Sequence, residues 1–207
     1  MSDDDMRDTV RRGYEDGRYH EEYREDYDVK EEEQELLDRF LDHVPDGGSL
    51  LDMGCGTGVP YDRFLVEQGY DVTGVDFTPK HVQQARENVP AATFIEADFT
   101  AFSPDTVFDG LLSLFAILHV PREEQEDVLE QFHGLVGSGA PLLVTLGLEP
   151  DQRATDQFAG AETVWSTYGR EKNLELLQEA GFEIVSTAEL QERMGMKEHL
   201  WVVARKS

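Results

Sequence analysis

A chain of 207 residues holds one globular domain with a sizeable core and is too short for two full catalytic domains. Its 44 acidic side chains against 18 basic ones leave a net charge of −26, which disfavours nucleic acid as a partner and, through self-repulsion, points to the salt-rich cytoplasm of a halophile. With one cysteine, Cys55, neither an intrachain disulfide nor a cysteine-based zinc site is available. No metal site is read from the sequence. No apolar run approaches the ~20 residues of a membrane span, and the start is acidic where a signal peptide is basic, so a cytoplasmic protein is expected.

Residues 1–28 are rich in Asp, Glu, Arg and Tyr and poor in aliphatics. Such a composition predicts a mobile start followed by a polar helix or cap. Tyr19, Tyr23 and Tyr27 fall on one helical face, a seam by which the segment docks on the rest. Leu36, Leu37, Phe40, Leu41 and Val44 then recur at helical spacing until Pro45-Asp46-Gly47-Gly48 breaks the pattern. From there short apolar runs alternate with amphipathic stretches. Strands are expected at 49–53, 71–75, 93–96, 108–114 and 141–146, and helices at 61–68, 79–88 and 122–136. That alternation is the pattern of a parallel sheet with crossover helices. Residues 147–168 lose all periodicity, which in a compact domain marks a functional loop or an unstructured one. A helix over 170–180 ends at Gly181, and two runs at 182–190 and 200–205 read as an antiparallel pair closing the sheet.

The chemistry is concentrated where the first strand meets Asp52-Met53-Gly54-Cys55-Gly56-Thr57-Gly58. A strand running through such a turn into a helix supplies a sharp bend, close backbone approach to a ligand and a helix start rich in free N–H groups. The dinucleotide fingerprint needs Gly or Ala two residues further on, where this chain has Val59 before Pro60, so a nicotinamide cofactor is disfavoured. Asp76 closes the second strand, where a carboxylate can take both hydroxyls of a ribose. Asp98 follows the third strand, in reach of an adenine amino group.

The ordered set Leu50-Leu51-Asp52-Met53-Gly54-Cys55-Gly56-Thr57-Gly58, Gly74-Val75-Asp76, Ala97-Asp98-Phe99 and Phe108-Asp109-Gly110-Leu111 through His119-Val120 resembles the class I S-adenosylmethionine-dependent methyltransferases, from about residue 35 onward. The resemblance implies an α/β fold, a doubly wound seven-stranded, mostly parallel sheet with an antiparallel last strand, in one domain over 29–207. It implies Asp52, Gly54, Cys55, Gly56 and Gly58 around the methionine part, Asp76 at the ribose, and Ala97, Asp98 and Phe99 at the adenine. Phe77 would pack on the adenine face. Leu114 would lie beside the reactive methyl, and Ile117-Leu118-His119 resembles the Leu-His-His found there in small-molecule enzymes. The Asn/Asp-Pro-Pro-Tyr signature of enzymes acting on nucleobase or protein amino groups is missing.

His119 is either a general base or a helix cap that contacts the cofactor. Cys55 is a small packing residue rather than a nucleophile. Tyr14 and Tyr19 are candidates for a lid over the cofactor, and Trp165 and Tyr168 are either pocket walls or packing. The expected activity is methyl transfer from S-adenosylmethionine to O, N or a similar atom of a small molecule, by a monomer or homodimer. The alternative is a domain that binds the cofactor without turnover, as a sensor or assembly partner.

Overall fold

The computed structural model describes residues 2–16, 28–158, 160–191 and 197–207, with the backbone alone over 152–158. Tyr19, Tyr23, Tyr27, Met194 and Met196 lie outside the described residues. The chain alternates as expected: β1 (Ser49–Met53), α3 (Tyr61–Glu67), β2 (Asp71–Asp76), α4 (Pro79–Asn88), β3 (Thr93–Glu96), β4 (Gly110–Ser113), α5 (Gln125–Leu135) and β5 (Pro141–Gly147). Two helices precede this series, α1 (Asp3–Asp16) and α2 (Glu31–Leu41), and α6 (Arg170–Glu179), β8 (Phe182–Gln191) and β9 (Glu198–Lys206) close the chain.

Seven strands form one sheet in the order β3-β2-β1-β4-β5-β9-β8. The first five are parallel, and β9 runs antiparallel to both β5 and β8. Because side chains alternate across a strand, neighbouring residues feed opposite cores. In β9, Leu200, Val202 and Ala204 join Phe132 of α5 and Leu177 of α6 on one face, while Trp201 and Val203 join Phe40 of α2 and Leu65 of α3 on the other. Helices on both faces make the sheet doubly wound. The strand order reverses between β1 and β4, and in such sheets the crevice at the carboxyl ends of those strands is where ligands bind.

Two expectations need correction. The helix α1 begins at Asp3, with no loose start before it in the described residues. Its three leading Asp residues face the positive end of the helix dipole, and Met6 and Val10, four apart, bury one face against Val164. Residues 147–168 are also structured: β6 (Asp151–Phe158) and β7 (Ala161–Thr167) form an antiparallel hairpin separate from the main sheet. Residues 163–167 are all buried, because α1 lies against β7 and the turn after β4 packs on it as well. A strand covered in this way has no hydrophobic alternation to read. The helix comes very close: a Cβ on Gly13 would sit 2.3 Å from the Glu162 carbonyl oxygen.

Candidate functional site

The glycine turn is built by backbone conformation. Gly54, Gly56 and Gly58 have φ of 92°, 56° and 73°, a region that costs side-chain-bearing residues energy. A Cβ on Gly54 would stand 2.3 Å from Ala116 Cβ, so the loop after β4 closes directly onto the turn. Gly58 serves packing instead, since its Cβ would meet Phe94 and Val89 at 3.1 and 3.2 Å. The expected store of free N–H groups is largely used up. Gly54 and Cys55 donate to the Val75 carbonyl at 2.8 and 3.1 Å, and Gly58 donates to the Cys55 carbonyl at 3.1 Å. Gly56 donates to Asp76 Oδ2 at 3.0 Å.

A cavity opens at the carboxyl ends of β1 to β4. From the turn it receives Asp52, Gly54, Cys55 and Gly56, from the end of β2 Asp76 and Phe77, and from beyond β3 Asp98 and Phe99. Leu114 and His119 enter from beyond β4, and Tyr14 from α1. Gly58 and Ala97 do not line it; the Ala97 amide donates to the Asp76 carbonyl at 3.0 Å. Nor does Tyr168, which packs on the core beneath the Arg122 guanidinium at 5.3 Å.

Trp165 lies one layer away, its ring centroid 4.6 Å from that of His119. It borders a second cavity, with the Lys197–Asp151 pair at 3.3 Å and the Arg170–Glu189 pair at 3.3 Å. His199, read from sequence as structural, lines this second cavity too and makes an edge contact with Phe115.

The carboxylates of the main cavity differ sharply. Asp76 is buried, which raises its pKa, but His81, whose Nδ1 is 3.6 Å away, and the amides of Thr78 and Gly56 outweigh that, so it titrates below the ordinary range. Asp52 is pushed up to about 7, chiefly by burial, with the Asp76 charge adding to the rise. Asp62 in α3, also fully buried, is raised well above the ordinary value by burial and by Asp52. Both oxygens of Asp62 and Oδ1 of Asp52 lack any N–H or O–H donor among the described residues. Asp52 and Asp62 act on each other's titration in opposite senses: the Asp62 side chain lowers Asp52 against its burial, and Asp52 raises Asp62. Burial and the charges of Asp62, Asp76 and Asp52 push the Cys55 thiol up, so it stays protonated and packs, as its sequence position suggested.

Over this cavity lies α1. Arg7 bonds Glu124 and stands 3.8 Å from Asp98, and the Arg11 guanidinium covers the Phe77 ring at 5.2 Å. Tyr14 Oη is 2.8 Å from His119 Nε2, and His119 Nδ1 is 2.8 Å from the Val164 carbonyl oxygen. A carbonyl only accepts, so in the neutral ring Nδ1 carries the proton and Nε2 accepts from Tyr14. Gln125 fixes the turn bearing His119 by donating to the carbonyls of Ile117, Val120 and Ser166. Arg7, Val10, Tyr61, His81, Phe115 and Ala116 also line the cavity and are absent from the sequence reading. The spacing of four that joins Met6, Val10 and Tyr14 was the available signal for α1. Phe115 had none, because its φ of 59° is a tertiary result.

The family model described as a methyltransferase domain matches residues 50–139. Among curated proteins, the chain is 30% identical to a dTDP-3-amino-3,4,6-trideoxy-alpha-D-glucopyranose N,N-dimethyltransferase of Streptomyces venezuelae, over 48% of this chain and 41% of that protein. It is 40% identical to a trans-aconitate 2-methyltransferase of an Enterobacter species, over 42% of this chain and 34% of that one. The chain therefore matches less than half the length of each. Among solved structures, a 1,6-didemethyltoxoflavin-N1-methyltransferase of Burkholderia thailandensis, with bound 1,6-didemethyltoxoflavin and S-adenosylhomocysteine, superposes with a TM-score of 0.77. That match covers 100% of this chain and 91% of that one at 18% identity, so it speaks to the fold. Glycine turn, strand order and family match point the same way: residues 50–139 match the methyltransferase-domain model, and the fold is that of the solved methyltransferase structure.

Proposed function

We propose that this protein transfers a methyl group from S-adenosylmethionine to an oxygen, nitrogen or similar nucleophile of a small molecule. One observation carries the reading. The turn keeps four of its amides for internal bonds, and the cavity beside it presents Asp52, Asp76 and Asp98. A pyrophosphate needs free N–H donors, whereas a ligand with an ammonium and a sulfonium needs carboxylates and carbonyls. The residues fit such a ligand: Asp52 Oδ1 is buried and unpartnered beside the turn, in place for an ammonium. Asp76 keeps lone pairs beyond those given to Gly56 and Thr78 and suits ribose hydroxyls. Phe77, Asp98 and Phe99 form the end suited to adenine.

When bound, the cofactor supplies an electrophilic methyl group, and the protein's part is to align the acceptor with it and exclude water. Where the acceptor must lose a proton, Tyr14 Oη and His119 Nε2 form the route by which it leaves. A small acceptor is supported by the two curated relatives, which are named for a sugar nucleotide and for trans-aconitate. The net charge of −26 supports a setting without nucleic acid and with high salt. No helix among the described residues is long and apolar enough to cross a membrane.

A thermal-shift series at 1 M salt with S-adenosylmethionine, S-adenosylhomocysteine and NAD tests the assignment. A ligand at 100 times its Kd stabilises by roughly 2.7 kcal/mol, which raises Tm by about 5–10 °C for a domain of this size. Shifts with the first two and none with NAD are expected; the reverse pattern would end the proposal.

A further inference from the structure

The ribose end of the cavity holds a side chain to which the reading above gives no task. His81 sits in the first turn of α4, the helix that follows Asp76, and is 3% exposed although it borders the cavity. Its Nδ1 stands 3.6 Å from Asp76 Oδ1, and its ring meets the ring of Tyr14 edge-on at 5.6 Å. Two amides already hold the carboxylate, Gly56 on Oδ2 at 3.0 Å and Thr78 on Oδ1 at 2.8 Å. An ionised carboxylate has about four acceptor sites, so each oxygen keeps at least one, and two adjacent hydroxyls need two acceptors. At its distance His81 is beyond hydrogen-bond length, so it steadies the charge from the side and uses neither of the sites left over.

That charge is costly to keep where Asp76 stands. Burial raises its pKa, and His81 is the side chain that opposes the rise, together with the Thr78 and Gly56 amides. Asp52 faces it from β1 and repels it when ionised, and the Cys55 thiol faces it from the turn. From α1, Arg7 is turned to Glu124 and Asp98, and Arg11 to the Phe77 ring. A carboxyl that took up a proton here would become a donor and lose an acceptor site. We propose that His81 is a positioning residue for the cofactor's ribose: from α4 its Nδ1–H keeps Asp76 a two-sided acceptor for the vicinal hydroxyls. The inference rests on the cofactor reading given above. A carboxylate oxygen only accepts, so the ring carries a proton on the nitrogen turned to it. His81 thus acts on the ligand through Asp76, and its loss is felt at the hydroxyls, not at the adenine or the amino-acid end.

Calorimetric titration at 1 M salt with S-adenosylhomocysteine and with its 2′,3′-dideoxy analogue isolates the hydroxyls. Both ligands carry the same ammonium, so the titration of Asp52 cancels in the ratio of their Kd values. In the wild type the dideoxy analogue should bind about tenfold more weakly or worse, the worth of one hydrogen bond to a charged acceptor, throughout pH 5 to 8. In His81→Leu that ratio should shrink about fivefold at pH 5 and recover as pH rises, because a carboxyl without the imidazole titrates higher and accepts fully only above its pKa. His81→Asn, whose amide N–H stands where Nδ1–H stood, should keep the wild-type ratio to within about twofold. A ratio near one in the wild type, a ratio unchanged in His81→Leu because both ligands weaken alike, or an equal loss in His81→Asn overturns the proposal and leaves the cofactor reading intact. A failure of the wild type to bind S-adenosylhomocysteine overturns both. Should His81→Leu not fold, His81→Gln, which moves the donor away from Asp76, takes its place with the same expectation.

Discussion

Tyr14 Oη and His119 Nε2 stand 2.8 Å apart, although 105 positions separate them in the chain. Their bond joins the N-terminal helix to the turn after β4, and through His119 Nδ1 to the hairpin strand β7. Three segments that share no sheet contacts thus meet at the mouth of one cavity. A helix held at Arg7, Val10 and Tyr14 therefore borders that cavity.

If α1 helps retain the cofactor, Tyr14→Phe removes one hydrogen bond worth about 1 kcal/mol and weakens S-adenosylhomocysteine binding roughly fivefold. Deleting residues 2–16 removes the Arg7 and Val10 contacts as well and weakens it further. Calorimetric titration reads both variants. An unchanged Kd in the deletion would show that α1 has no part in holding the ligand.

The glycines of the turn should respond differently to alanine. At Gly54 the new methyl meets Ala116 Cβ at 2.3 Å with φ at 92°, so Gly54→Ala must displace the loop after β4 and should reduce cofactor affinity by more than tenfold. At Gly58 the methyl meets Phe94 and Val89, away from the cavity. Gly58→Ala should lower Tm through a φ that alanine disfavours, typically by about 1 kcal/mol or more, with a much smaller loss of affinity. Chemical denaturation and titration of both variants separate the two effects, and equal losses of affinity would contradict this division.

Much of this was readable before folding. The main strands are short apolar runs bounded by turn residues, and Asp52, Asp76 and Asp98 sit at strand ends that the sheet brings to one edge. The rest depended on tertiary burial. Strand β7 buries Thr163, Ser166 and Thr167; Ser166 Oγ accepts from the Arg122 amide and Thr167 Oγ1 donates to the Glu149 carbonyl, so polar residues that only the fold buries looked like a loop. Asp62 lies on a short helix beside Arg63, where a carboxylate reads as solvent-facing. Trp165 and Tyr168 read alike in the sequence, as pocket walls or as packing, yet residues three apart on a strand and its exit point to different surroundings.

The carboxyl pair also bears on stability. Asp52 is raised to about 7 in the folded protein against about 3.9 in an unfolded chain, so the folded state binds more protons across that interval. The stability the pair contributes is then greatest below about pH 4 and is lost as pH rises to about 7. Asp76, with its lowered pKa, acts in the opposite sense, and only on acidification into the carboxylate range. Between pH 5 and 8 the Tm of the unliganded wild type should therefore fall more steeply than that of Asp62→Asn. Parallel curves would mean that Asp62 does not titrate above the ordinary carboxylate range.

The account stands most directly on where the ligand lies. A crystal structure of the S-adenosylhomocysteine complex should show the ammonium at Asp52, the ribose hydroxyls on Asp76 and the adenine beside Asp98 and Phe99. A ligand seated instead in the second cavity between Trp165 and Lys197, or bound with its ribose away from Asp76, would contradict it.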